Sequence, residues 1–158
     1  MVHMPALTKF SYGGTAGIVT SMGLIVGLGG ASTSKSAIIA SLLIIAIADN
    51  LTDSLAIHVY QESEKLETRL AFRSTIANFF TRLVGVLTFI LLVVILPAPL
   101  LVPVGLAWGM VLLGTLTWFV ARSRGVSPGL EVLKHLGIGV LVIAVSKAIA
   151  VWIVGRLS

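Results

Sequence analysis

The chain contains no cysteine. Disulfides, thiolate metal sites and cysteine nucleophiles are therefore excluded. Charge is also scarce, at 11% of 158 residues. A water-soluble domain carries about a quarter charged residues, so this chain has too little polar material to cover a surface facing water. No phosphate loop, metalloprotease motif or nucleophile elbow occurs, and no enzyme activity is expected. What the chain has in abundance is apolar sequence, 57% of the total. Its solvent is expected to be a lipid bilayer. The net charge of +5 sits between apolar runs rather than on a stripe with interleaved aromatics. It reads as membrane topology, not as a nucleic-acid surface.

The apolar runs predict a single all-α integral membrane domain with five transmembrane helices, at about 10–30, 36–60, 76–96, 102–121 and 133–155. Lys9 precedes an apolar run that continues to Ser34, too long for a signal-peptide core, so it is read as a retained first span. Between Leu83 and Ala121 no charge occurs, and Pro97, Pro99 and Pro103 mark a turn that divides this stretch in two. The charged segment at about 61–75 has no Gly or Pro and predicts a short cytoplasmic helix running into the third span. A polar lead-in through Glu131, Lys134 and His135 precedes the fifth. Five spans place Lys9, Lys65, Arg69, Arg73, Arg82, Arg122, Arg124 and Lys134 on one face, against Lys35 and Arg156 on the other. The positive-inside rule then sets the N-terminus in the cytoplasm and the C-terminus outside, in the cell membrane.

The second span carries the chemistry. Asp49 and Asp53 are four residues apart in Ala48-Asp-Asn-Leu-Thr-Asp-Ser54, which places them on one helix face, roughly 6 Å apart along the axis. Each carboxylate at the bilayer centre costs about 2.5–3.5 kcal/mol. The leucines and isoleucines of the span offset roughly that total at about 0.5 kcal/mol each, so the segment needs other helices, water or a cation. The functional reading is a site for a hard cation or for protons. The bland one is a structural ion pair, or an Asp53 near enough the cytoplasmic end to stay wet. Lys147 in span five lies at a depth similar to Asp49 and is the expected counter-ion, unless it snorkels outward.

Further along, His58 with Tyr60, Glu62 and Glu64 suits an entry site for a divalent metal, or simply an interfacial histidine on a solvated helix. His3 and His135 have no nameable partners. Trp108, Trp118 and Trp152 read as interfacial or packing aromatics. Gly13, Gly17, Ser21, Gly23 and Gly27 form a small-xxx-small pattern in span one, compatible with close packing inside one protomer and with a dimer interface.

The segment Ala16-Gly-Ile-Val-Thr-Ser-Met-Gly-Leu-Ile-Val-Gly-Leu-Gly-Gly-Ala31 resembles the first span of the vacuolar iron transporter family, matching at Gly17, Ile18, Val19, Gly27, Gly30 and Ala31. The segment from Ala48 through Asp53 to Tyr60 and Ser63-Glu64 is similar to that family's second span. The resemblance implies five spans with the N-terminus inside, a homodimer packed through the first span, and exchange of divalent iron or manganese for protons. Two positions depart from it. Ala16 stands where the family has an aspartate, and the family's long metal-binding domain is reduced to about 61–73. On this reading Asp49 and Asp53 bind the cation, Asn50 and Thr20 add oxygens, and His58, Glu62 and Glu64 recruit it. The metal is cargo, and no tightly bound cofactor is expected. The alternative is a non-transporting scaffold or partner subunit that keeps the fold without the site.

Overall fold

A computed structural model describes residues 6–31, 33–65 and 67–157, with side chains from 13 to 156. His3 lies outside the described residues, as does the side chain of Lys9. The elements run α1 (Ala6–Gly30), α2 (Lys35–Ile44), a π-helical turn (Ile45–Asp49), α3 (Asn50–Ser63), α4 (Thr68–Ile95), α5 (Ala98–Ser123) and α6 (Pro128–Leu157). The second span is thus one rod from Lys35 to Ser63, and five helices are long and apolar enough to cross a membrane.

Local chemistry explains most of the boundaries. Ser34 caps α2 by accepting from the Ala37 N–H at 3.3 Å. The α5 terminus is a Schellman turn: Gly125 sits at φ 69, its N–H reaches Arg122 O, and the Val126 N–H reaches Ala121 O. Pro128 then opens α6 at a position where its missing N–H costs nothing.

Three sequence expectations need correction. The turn between the third and fourth spans falls at Leu96–Pro97 alone; Pro99 lies in the first turn of α5 and Pro103 inside it. The fifth helix begins at Pro128, absorbing the polar lead-in. The charged helix over 61–75 does not form as one piece. It breaks at Lys65, which adopts a left-handed φ of 56° while its N–H reaches Glu62 O at 2.9 Å. Non-glycine residues take this conformation at a cost, here offset by folding α4 back along α3.

α1 is the axle of the bundle. It packs against α2, α4, α5 and α6 and is the most buried of the spans, whereas α6 is the least. The core forms from Met22 and Ile25 of α1, Leu42 of α2, Val86, Phe89 and Val93 of α4, and Leu113 of α5. Glycines bring α1 and α5 together: a Cβ on Gly105 would meet the Ile25 side chain, and one on Gly109 would overlap Met22. Large apolar side chains point outward on every face, including Ile47 and Leu55 on the second span, Leu87 and Leu91 on α4, and Leu141 and Trp152 on α6. Water would not tolerate such a surface; lipid tails do.

Candidate functional site

The second span and α4 form an antiparallel pair, the chain turning at Glu64 and Lys65 after the end of α3. Along α2 and α3 the buried positions are Ile38, Leu42, Ala46, Asn50 and Ser54, a strict four-residue repeat. On a regular α-helix such a repeat drifts by about 40° per step. The π turn takes up one extra residue between Ala46 and Asn50 and returns Asn50 and Ser54 to the face of α4. Within this wide turn the Asn50 backbone N–H goes back to Ile45 O. Its side-chain Nδ2 donates to Ala46 O at 3.3 Å and, across the helix pair, to Phe79 O at 2.9 Å. One amide therefore pins the bulge to α4.

That pinning sets Asp49 and Asp53 beside Arg82. The guanidinium donates from Nη2 to Asp49 Oδ2 and from Nη1 to Asp53 Oδ2, so one arginine bridges both carboxylates. Arg82 is 2% exposed, whereas the Asp49 and Asp53 side chains are 46% and 35% exposed. The cation is buried and the acids look outward from it. One buried guanidinium thus faces two carboxyl groups. The exposed parts of both acid side chains leave room for a second partner.

The expected Asp49–Lys147 pair is not present. Lys147 is exposed on α6 and takes part in none of the ion pairs among the described residues. The expectation rested on depth alone, and α6 packs on α1 and α5 rather than on α3. Arg82, counted in the sequence as an inner-face charge, is inside the bundle. Its signal was legible in Ser74, Asn78 and Arg82, a polar stripe at four-residue spacing that runs into the apolar half of the helix.

Of the remaining expected residues, His58 and Glu62 meet and the others lie apart. Among the described residues no three His, Asp or Glu converge as a metal-holding group. His58 faces Glu62 at 3.5 Å and Thr75 at 3.4 Å, and Glu64 is exposed beyond the end of α3. Thr20 is directed away from the acids into a groove of about 790 Å³ between α1, α2 and α6, which Gly23 and Gly27 also line. Gly13, Gly17 and Ser21 cannot serve a dimer interface, because they are buried inside the protomer. A Cβ on Gly13 would lie 2.5 Å from Asn78 O, and one on Gly17 would lie 2.9 Å from Arg82 Cγ. Gly27 meets nothing within 4 Å.

Among the described residues, seven buried polar atoms on α1, α3 and α4 have no hydrogen-bond partner: Ser21 Oγ, Asn50 Oδ1, Ser54 Oγ, Gln61 Oε1, both amide atoms of Asn78 and Arg82 Nε. A sealed orphan of this kind costs roughly 1–3 kcal/mol. Sequence inspection singled out only Asn50 and Ser21 of this group.

The fold and the site together define a five-helix membrane protein with an Arg–Asp–Asp triad set into its second and third spans. No protein-family model matches the chain, and no curated protein or solved structure matches it either.

Proposed function

We propose that the chain is a small secondary transporter that moves a cation against protons, with Asp49 and Asp53 as its binding carboxylates. The observation that carries this reading is the half-exposed acid pair held from behind by a buried guanidinium. Two bare carboxylates in a hydrocarbon setting would be costly to retain. Arg82 acts as a tethered stand-in for the cargo, keeping the site formed when no cation is bound. A divalent cation or protons arriving at the outer oxygens would neutralise the acids and release their hold on Arg82. Carboxylate oxygens suit hard or borderline divalent ions. The resemblance to the vacuolar iron transporter family favours Fe²⁺ or Mn²⁺ as the cargo, exported from the cytoplasm by a homodimer. With Arg82 removed from the tally, the Lys and Arg balance is still seven against two, which supports an inner N-terminus in the cell membrane.

A second reading is a non-transporting scaffold, favoured by Arg82 already occupying one oxygen of each acid. Flux into proteoliposomes separates the two. A transporter moves Fe²⁺ or Mn²⁺ down an imposed gradient with counterflow of protons, and Asp53→Asn slows it at least tenfold. Wild type as inert as protein-free vesicles towards Fe²⁺, Mn²⁺, Co²⁺ and Na⁺ selects the scaffold.

A further inference from the structure

Six of the seven orphan polar atoms lie on two neighbouring helices: those of Asn50, Ser54 and Gln61 on α3, and those of Asn78 and Arg82 on α4, where both residues also abut α1 at Gly13 and Gly17; the seventh, Ser21 Oγ, is on α1. The cross-helix pairs Gln61–Ser74 at 2.9 Å and Asp53–Arg82 bracket Ser54 on α3 and Asn78 on α4, while Asn50 lies about one turn beyond Asp53. Along α4 the polar positions Ser74, Asn78 and Arg82 succeed each other by four residues, about 6 Å per step. Two hydrogen bonds of about 2.8 Å through one water bridge such a step. The α1–α5 interface is built differently, from Met22 and Ile25 seated on Gly109 and Gly105. One interface of the bundle is apolar and interlocked, while the other is polar and short of partners.

The attachment of α3 differs too. α1 touches four other helices, whereas α3 packs against α4 and, through the π turn, continues into α2, with only slight contact elsewhere. A π turn inside a helix is a common site of hinging. We infer that α3 swings from α4 about the turn at Ile45–Asp49 and admits water from the Ser63–Thr68 end, along Gln61, Ser74, Asn78 and Ser54, to the Arg82–Asp49–Asp53 triad. Buried orphans gain water as a partner in the open state, and a water file lets protons reach the acids. In the closed packing the same atoms are sealed. The route depends on the transport reading only for its purpose, since hydration is measured without any flux.

The cysteine-free sequence makes the test direct. Ser54→Cys and Ser74→Cys place near-isosteric thiols in the seam; Ala46→Cys and Val86→Cys place thiols at other buried positions, in apolar packing. Each variant in proteoliposomes is exposed to Ag⁺, a thiophilic ion that travels with water. The thiols at 54 and 74 are expected to react at least tenfold faster than those at 46 and 86. Equal rates overturn the inference. Should a seam variant fail to fold, deuterium exchange on the unsubstituted protein decides: α3 amides exchanging at least tenfold faster than those of 17–27 in α1 support the route, and equal protection overturns it. A wet seam in a protein that moves no ion leaves this inference standing and removes the transporter.

Discussion

Gly17 lies directly over the stem of Arg82: a Cβ added to it would stand 2.9 Å from Arg82 Cγ and 3.3 Å from Arg82 O. The absent side chain on α1 is what lets the arginine lie flat in the bundle and reach two acids on the second span. Gly17→Ala should therefore destabilise by about 1–3 kcal/mol through overpacking. Gly27→Ala meets no atom within 4 Å and should be neutral or slightly stabilising, because alanine is the better helix former. Thermal unfolding in one detergent checks both; equal losses would mean that α1 does not pack on α4 through Gly17.

The counter-ion assignment is tested by double-mutant cycles. Arg82→Met leaves two acids facing a cavity in the bundle and should be strongly destabilising, whereas adding Asp49→Asn and Asp53→Asn should recover much of the loss. Coupling between Arg82 and Asp53 is expected at about 1 kcal/mol, at the low end for contacting residues because the acid is partly exposed. Lys147→Met paired with Asp49→Asn should show no coupling. The reverse pattern in denaturation free energies would restore Lys147 as the partner.

Interlocking of α1 with α5 makes its own prediction. Gly109→Ala drives a methyl into Met22, which is fully buried, and should cost about 1–3 kcal/mol. Met22→Ala alone also destabilises, by leaving a void. Combined, the two should lose less than the sum of the single losses, since one fills space that the other empties. Additive losses by thermal melting would place the two residues apart.

Separation of Glu64 from the His58–Glu62 pair leads to a functional contrast. If the acids of the triad hold the cation, Glu64→Gln should leave initial uptake within about twofold of wild type, while Asp49→Asn should lower it by an order of magnitude or more. Loss of uptake with Glu64→Gln and its retention with Asp49→Asn would move the site to the loop.

The number of spans and their approximate places were readable because lipid imposes a simple rule. A crossing helix needs about 20 apolar residues, and the chain has five such runs. Asp49 and Asp53 were equally visible, since charge inside such a run is rare. The break at Lys65 was not. It carries neither Gly nor Pro, and its left-handed backbone follows from the need to lay α4 back along α3. The π turn was also hidden, because Ile-Ala-Ile-Ala-Asp reads as an ordinary helix. Only the buried stripe from Ile38 to Ser54, set against α4, shows why an extra residue is taken up there.

Sequence by itself determined the solvent, the number of spans and the depth of each charge. Depth is nearly a linear function of residue number once a helix is known to cross, at 1.5 Å per residue. Tertiary structure alone decided which charges meet. Arg82 and Lys147 are both cations on spans that cross beside α1, yet one is sealed against the acids and the other is exposed. The difference lies in the direction each side chain takes around its helix axis and in which helices are neighbours. Those are fixed by glycine-mediated close approach and core packing, which no single helix contains.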